Sequence, residues 1–298
     1  MELTMLNNMA GTDLPVALDR YVSLGLRLVD LKDGIWARKV EELDEEQSAR
    51  VAALVGERGL AVHCLSTALG WTDVNIGEKS WRANQEQLLA RVLRVAAIVR
   101  PRYLRVLAVR VGTAEHPVRW SYQETVAAHP WLPVAFADIV RRINAAGYAA
   151  CIENEARHCA LATSEDVAAF FGMLLPLVGG GSCDYVWDVQ NMWQMGTFPT
   201  LPMLEKLQPY LRLLHLKGGR ADALGNLSEA SSLRAASWPV SRIIAEVHRA
   251  GNVDVICLNP SHGKRPADYG IWNVVQDDIA FLRELFLKLE SGAPLAAG

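Results

Sequence analysis

The chain has 298 residues, of which 51% are hydrophobic, and this length suits one large globular domain or two ordinary ones. Its 30 basic and 33 acidic residues leave a net charge of -3, which does not favour a nucleic acid as partner. No apolar run is long enough to span a membrane, and the N-terminus lacks the pattern of a signal peptide. The five cysteines have no paired spacing. We therefore expect a reducing, cytoplasmic location.

Short apolar runs alternate with amphipathic helices along the whole chain, without a linker or a change in composition. Runs typical of buried strands are found at 3–6, 26–31, 60–65, 103–111, 148–152, 185–188, 211–215 and 253–258. Helices are predicted at 15–24, 44–59, 81–99, 134–146, 240–250 and 277–289, and another begins at Ser164. This alternation predicts parallel strands joined by crossover helices, and eight units fit an α/β fold, the (β/α)8 TIM barrel, formed as a single domain by residues 1–298.

Loop lengths distinguish the two ends of the predicted barrel. The turns from a helix to the next strand are short and contain glycine, as at Gly59 and Gly147. The loops that follow the strands are long, notably 66–80, 112–133 and 218–239. Long loops on the C-terminal face are where TIM barrels carry their active sites. An open doubly wound sheet is the alternative, but it would more often carry a glycine-rich phosphate loop after the first strand, where none is found.

Four consecutive predicted strands end in polar side chains: Glu153, Asp188, His215 and Asn259. Taken singly, Asp188 is equally well explained as a helix cap and His215 as a hydrogen-bonded core histidine. Their occurrence at the ends of successive strands favours a shared site. Carboxylate, imidazole and amide groups form an oxygen-rich ligand set that suits Mn²⁺, Mg²⁺, Co²⁺ or Zn²⁺.

The same strand ends resemble the xylose isomerase-like TIM-barrel superfamily, the sugar phosphate isomerase/epimerase group, over nearly the whole chain. The resemblance is carried by Ile152-Glu153-Asn154, Trp187-Asp188 with Asn191, His215 with Lys217, Leu258-Asn259-Pro260, and the early stretch 29–33. It implies one divalent metal ion, with Mn²⁺ favoured, held at the barrel mouth by Glu153, Asp188 and His215. It also implies a small carbohydrate-like substrate, chelated through its hydroxyl and carbonyl oxygens.

One position departs from the family pattern. The family usually ends the eighth strand with a glutamate that is both a metal ligand and a second acid/base group, and this chain has Asn259 there. An amide oxygen is a weak ligand and does not accept a proton, so Asn259 is a weaker candidate ligand than the other three. The departure puts a two-carboxylate epimerase mechanism in doubt.

Proton abstraction next to a carbonyl requires a base close to the metal site. Glu153 is the first candidate, and Glu155 is a second candidate that would point the same way on an extended chain. The alternative for Glu155, a solvated carboxylate at the rim, is favoured over a catalytic role. Lys217 is predicted to stabilise an oxyanion, although a salt bridge at the rim explains it equally well.

Two histidines and a lysine are further candidates at the predicted mouth. His262 lies in the loop after the eighth strand and is the better of the two histidines as a proton donor. His63 on the third strand is predicted to contact the substrate, although a hydrogen-bonded interior histidine explains it equally well. Lys32 follows the second strand and is predicted to bind an anionic or hydroxylated substrate. A structural pair with a neighbouring aspartate is the alternative for Lys32.

The chain has nine tryptophans, many for its length, and six of them lie in the loops of the same face. Aromatic rings pack on the C–H surfaces of sugars and exclude water, although packing between loops explains about half of these residues. From this group and the sixth-strand motif we predict that Trp71, Trp193 and Asn191 contact the substrate. The loop tryptophans are Trp36, Trp71, Trp120, Trp131, Trp193 and Trp238.

The sequence leaves three functions open. The leading hypothesis is a metal-dependent isomerase, epimerase or lyase acting on a sugar, keto-sugar or sugar acid. A phosphodiesterase of the endonuclease IV kind would need many histidines at strand ends, and the chain has seven in all. The third hypothesis is a partner-dependent barrel subunit acting on oxidised glycosides, or a non-catalytic barrel with a degenerate metal site. A homo-oligomer and a hetero-complex are both compatible with the sequence.

Overall fold

The computed structural model describes residues 1–112, 120–260 and 264–294. Eight parallel strands form one nearly closed barrel, and the helices that connect them surround it. The described residues contain ten strands, eight in the barrel and two in a hairpin. In chain order they are β1 (Glu2–Met5), β2 (Leu28–Leu31), β3 (Ala61–Leu65), β4 (Tyr103–Leu107), β5 (Ala149–Glu153), β6 (Cys183–Asp188), β7 (Leu211–Leu216), β8 (Gly218–Ala221), β9 (Leu227–Ser231) and β10 (Val255–Leu258). The predicted (β/α)8 TIM barrel is therefore confirmed.

The barrel contains all strands except β8 and β9, which form a separate antiparallel hairpin. Strand β1 pairs with β10, β10 with β7, and the remaining strands pair in sequence order from β7 back to β2. The last gap, between β1 and β2, is bridged by a parallel contact of Leu6 with Asp30. The Thr4 hydroxyl also donates to the Leu28 carbonyl at 2.8 Å, which ties the two edge strands together.

The surrounding helices are α1 (Leu14–Ser23), α2 (Glu45–Glu57), α3 (Glu78–Val99), α4 (Tyr122–Ala128), α5 (Leu132–Ala145), α6 (Ser164–Val178), α7 (Val189–Gln194), α8 (Leu201–Leu207), α9 (Val240–Ala250) and α10 (Ile271–Ser291). Local sequence signals start and end them. At α2, Asp44 accepts from the Gln47 amide while the Gln47 side chain accepts from the Asp44 amide, so both groups are satisfied. The short turn into β5 passes through Gly147, whose φ of 88° is a conformation that favours glycine. No helix among the described residues is long and apolar enough to cross a membrane.

Three elements differ from the sequence predictions. Strand β4 ends at Leu107 because residues 108–111 leave the sheet and hydrogen-bond to loops, for example from the Ala160 amide to the Val109 carbonyl. Helix α10 begins at Ile271, six residues earlier than predicted, because Val275 extends its buried face by one turn. The long loop 218–239 contains the hairpin β8–β9, where a side chain on Gly218 would collide with the Ser231 carbonyl oxygen.

The barrel interior beneath the mouth is partly polar. The Nδ1 atom of His63 lies 2.8 Å from Oδ1 of Asp30, and both side chains are buried. The five cysteines are buried and free, as the absence of paired spacing predicted. His63 therefore has the hydrogen-bonded interior position that is the alternative to its predicted contact with a substrate.

Asp278 is an ionisable group with a large expected effect on stability. It lies on the buried face of α10, and its Oδ1 accepts from the Leu233 amide at 2.6 Å. Burial raises the pKa of Asp278 from its ordinary value of 3.8 to about 8. The folded protein therefore binds one more proton than the unfolded chain between these two pH values, and stability falls as the pH rises.

We expect Asp278→Asn to be more stable than the parent by up to about 5 kcal/mol at pH 8, at about 1.4 kcal/mol for each pH unit between 3.8 and 8, and by much less at pH 4. The amide keeps the hydrogen bond to Leu233 but does not ionise. Urea unfolding at both pH values measures the effect, with the exposed neighbour changed in Asp277→Asn as the control. Equal stability of parent and Asp278→Asn at pH 8 would contradict the buried charge as its cause.

Candidate active site at the C-terminal mouth

The structure brings together the four polar strand ends. Glu153 ends β5, Asp188 ends β6, His215 lies at the penultimate position of β7, and Asn259 follows β10. Asp188 and His215 are direct neighbours in the register of β6 and β7. All four side chains are buried at the carboxyl end of the sheet. Parallel strands of this barrel therefore carry their polar ends to one mouth, as the loop lengths predicted.

Glu153 is held by two basic side chains. Its Oε2 accepts from Nη1 of Arg105 at 2.6 Å, and its Oε1 lies 2.8 Å from Nδ1 of His215. Arg105 reaches this position from β4 and also donates to the carbonyls of Ser66 and Thr67. Burial opposes ionisation, but His215 and Arg105 outweigh it and hold the pKa of Glu153 well below its usual range.

Asp188 forms the second buried ion pair of the mouth. Its Oδ2 lies 2.8 Å from Nζ of Lys217, and its Oδ1 accepts from the backbone N–H of Asn191 at 2.9 Å. Asn259 joins this group through its amide nitrogen, Nδ2, which lies 3.3 Å from Oδ2 of Asp188. Asn154 fixes the backbone of Asp188, because its side chain both accepts from and donates to that residue. Burial raises the pKa of Asp188, and Lys217 opposes this shift.

Glu155 lies at the edge of the cluster and is less enclosed than Glu153. Its Oε1 accepts from Nδ2 of Asn191 at 3.0 Å and from the Ala156 amide at 2.7 Å. Oδ1 of the Asn191 side chain accepts from Nζ of Lys217 at 2.8 Å. Asn191 therefore links Glu155 to the Lys217 ammonium group. Burial raises the pKa of Glu155, and the nearby charge of Glu153 raises it further.

The mouth therefore contains two carboxyl groups, two residues apart, whose pKa values shift in opposite directions. Such pairs are frequent where one group stays ionised and the other exchanges a proton. The charges of the mouth also affect Lys32. Burial lowers the pKa of Lys32, as does Arg105, while Asp33, Glu153 and Glu155 raise it. Lys32 is half-buried, so it is available to a ligand at the mouth.

The donor set fits a divalent metal ion. Glu153, Asp188 and His215 each offer one ligand atom, and these atoms lie within 4.8 Å of one another. Carboxylate oxygens and an imidazole nitrogen are ordinary ligands of Mn²⁺, Mg²⁺ and Zn²⁺. A second group, Asp30 with His215 and Cys257, meets the same distance, but burial raises the pKa of the Cys257 thiol and so opposes the thiolate that binds metals. The first group, at the mouth, is the better candidate.

The two tryptophans predicted to contact substrate have different environments. Trp71 is half-buried, and the guanidinium carbon of Arg110 lies 5.9 Å from its ring centre. Trp193 is buried and donates from Nε1 to the Gly225 carbonyl at 2.9 Å, so it packs beneath the β8–β9 hairpin. His262, the predicted proton donor, lies outside the described residues.

Arg105 is the site residue that the sequence analysis missed. Its only sequence signal is a charged residue within the apolar run 103–111, and a buried charge requires a partner. For Glu155 the sequence favoured a solvated carboxylate at the rim over a second base, and its hydrogen bond with Asn191 was not apparent. The contacts that place Arg105 and Glu155 in the site are apparent only in the folded barrel.

No protein-family model and no curated protein matches the chain. Solved structures do match it over nearly their whole length. A xylose isomerase-like TIM-barrel protein from Mycobacterium smegmatis, crystallised with magnesium, has a TM-score of 0.68 at 15% identity and covers 97% of each chain. The IOLI protein with a bound zinc atom has a TM-score of 0.72 at 12% identity and covers 100% of each chain.

A D-psicose 3-epimerase, crystallised in the presence of D-fructose, is similar to the same degree, with a TM-score of 0.69 at 14% identity over 96% of this chain and 99% of that one. At these identities the comparison establishes the architecture. The protein is a parallel (β/α)8 barrel with a polar mouth. More particularly, it has the fold of the xylose isomerase-like TIM barrels, as the strand-end motifs predicted.

Proposed function

We propose that the chain is a single-domain enzyme that removes a proton from a carbon next to a carbonyl in a small carbohydrate-like substrate. The observation that carries this proposal is the pair Glu153 and Glu155 at the barrel mouth. Glu153 is fixed as an anion between Arg105 and His215. Glu155 lies beside it with a raised pKa and remains partly accessible. The arrangement supports separate roles for the two carboxyl groups.

Glu155 is the better base of the two. A catalytic base works best when its pKa is close to the working pH, and burial moves Glu155 in that direction. Glu153 was the first candidate from sequence, but two basic partners lower its pKa and leave it a weak proton acceptor. In this proposal Glu153 positions His215 and holds charge, while Glu155 exchanges the proton.

Glu153, Asp188 and His215 would hold one divalent ion, for which the donor set favours Mn²⁺ or Mg²⁺ over softer ions. When bound, such an ion polarises the carbonyl oxygen of a substrate. Lys32, on the opposite side of the mouth from β6, would contact a hydroxyl or carboxylate group of the substrate. Asn191 would orient Glu155 through its hydrogen bond to Oε1.

Asn259 restricts the reaction to one base. It stands beside Asp188, and an amide does not accept a proton from carbon. The proton removed by Glu155 would therefore return on the same face, or a leaving group would depart instead. Solved structures of the same fold include D-psicose and L-ribulose 3-epimerases and a probable 3-DHS dehydratase. Isomerisation and elimination both begin with the proton loss proposed here.

The proposal is tested by following hydrogen exchange. The protein is incubated with MnCl₂ and a panel of ketoses and sugar acids in D₂O, and the C–H signals next to the carbonyl are followed by NMR. We expect deuterium to replace hydrogen at that carbon in at least one substrate. If every substrate keeps its hydrogen while the protein holds metal, the enzyme proposal is wrong, and a partner-dependent barrel subunit becomes the better hypothesis.

A further inference from the structure

Lys217 has an unusual position for a residue next to a metal site. Its side chain is buried, and its ammonium group lies 2.8 Å from Oδ2 of Asp188 and donates to Oδ1 of Asn191 at 2.8 Å. Asn191 is itself buried and also holds Glu155. Both contacts fix the ammonium group against side chains that the fold positions, and one of them is Asp188 of the candidate ligand group.

The oxygen that Lys217 contacts is the one that a metal ion would need. Oδ1 of Asp188 already accepts from the backbone N–H of Asn191 at 2.9 Å, whereas Asn259, a further candidate ligand, lies on the side of Oδ2. Lys217 and the Asn259 amide nitrogen are both directed at Oδ2. A cation and an amide donor therefore occupy the side of Asp188 from which an ion would bind.

The charges of the mouth lead to the same conclusion. The two carboxylates of the ligand group are each paired with a basic side chain, Glu153 with Arg105 and Asp188 with Lys217. A divalent ion would add two positive charges to a buried group that is already balanced. Like charges at short distance in a site with little water repel strongly. The family pattern has a glutamate where this chain has Asn259, so position 259 supplies no third carboxylate to offset the added charge.

We propose that Lys217 is a built-in competitor of the metal ion: its ammonium group neutralises Asp188 in the metal-free protein, and a divalent ion binds only by displacing it. This inference rests on the metal site of the proposed function and adds the control of its occupancy. The ion binds only to molecules in which the Lys217–Asp188 pair is open. If the pair is open in about 1% of molecules, the apparent affinity for the metal ion is about 100-fold weaker.

The test compares metal affinity in variants that differ at this contact. Metal-stripped parent, Lys217→Met and Lys206→Met are titrated with MnCl₂ by calorimetry. Methionine keeps most of the length of the side chain and removes its charge, and Lys206 is an exposed lysine paired with Glu165 on the outside of the barrel. We expect Lys217→Met to bind Mn²⁺ at least about 10-fold more tightly than the parent, and Lys206→Met to match the parent.

Equal or weaker binding by Lys217→Met overturns the proposal. Asn259→Glu separates this failure from failure of the metal site itself, because it adds a carboxylate and leaves Lys217 in place. If Asn259→Glu binds Mn²⁺ and Lys217→Met does not gain affinity, the site is correct and the competition is wrong. If neither variant binds, the metal part of the proposed function is also wrong. Hydrogen exchange by Glu155 is measured independently of both.

Removal of a buried charge can prevent folding, so a second readout is included. Lys217→Gln keeps a hydrogen-bond donor at this position and replaces Lys217→Met if that variant is insoluble. Thermal unfolding is measured for each protein with and without MnCl₂, because a ligand stabilises the folded state according to its affinity. We expect the variant to have a lower midpoint than the parent without metal and a larger increase on adding it. An equal increase in both proteins counts against the competition.

Discussion

Glu155→Gln is expected to lower the rate of hydrogen exchange by about 10²–10⁴-fold, the contribution typical of a general base. Glutamine keeps the hydrogen bond from Asn191 but does not accept a proton. Substrate binding should change much less than the rate, because the charge at Glu153 and the candidate metal ligands are unaltered. Rates are measured by NMR in D₂O with the substrate that exchanges fastest in the parent.

The pH dependence identifies the same group. Burial and the charge of Glu153 raise the pKa of Glu155 above its ordinary value of 4.5, and a base must be unprotonated to act. The rate should therefore fall as the pH decreases through this raised pKa, at a pH above the ordinary range of a glutamate. Glu165→Gln, on the exposed surface of α6, is the matched control and should keep both the rate and the profile. An unchanged rate in Glu155→Gln would remove this residue from the mechanism.

The fold was predictable because its signals are local and repeat along the chain. Alternating apolar runs and amphipathic helices define the eight units, and the turns at Gly59 and Gly147 mark the short-loop end. Once the strands are parallel, the residues at their ends must lie at one mouth. Glu153 and Asp188 could therefore be assigned to the same site before any coordinates.

The pairing of charges within the site was not predictable in the same way. Arg105 lies two residues before the end of β4, and in register it faces Cys151 of β5. Its contact with Glu153 depends on a long side chain that reaches along the barrel, which no spacing in the sequence specifies. Lys217 was predicted either to stabilise an oxyanion or to form a salt bridge at the rim. It is instead buried, where it pairs with Asp188 and donates to Asn191.

The exposure of the loop tryptophans could not be predicted from the sequence either. Trp193 was predicted to contact substrate because it lies in a loop of the functional face. The hairpin that covers it was not predicted, since residues 218–239 carry turn and polar residues that resemble an irregular loop. Whether a loop residue is exposed depends on what other loops pack over it, and that information is not local in sequence.

Arg105→Met is expected to destabilise the protein by about 3–5 kcal/mol at pH 7, because it removes one of the two basic partners of the buried Glu153 carboxylate. It also removes the donor that the carbonyls of Ser66 and Thr67 share. Urea unfolding monitored by circular dichroism measures the loss. The effect should shrink as the pH falls: in the parent, the lowered pKa of Glu153 contributes stability above the ordinary pKa of the group, which is lost as the carboxylate is protonated.

The matched control is Arg102→Met, three residues earlier in the chain. Arg102 pairs with Asp254 at 3.1 Å, but the two side chains are 57% and 58% exposed, so water replaces the interaction when it is lost. Surface pairs of this kind contribute about 0–1 kcal/mol. Arg102→Met should therefore stay close to the parent at both pH 7 and pH 4. If Arg105→Met costs no more than Arg102→Met, Glu153 is not stabilised by this guanidinium, and its assignment as a fixed anion beside Glu155 loses its physical basis.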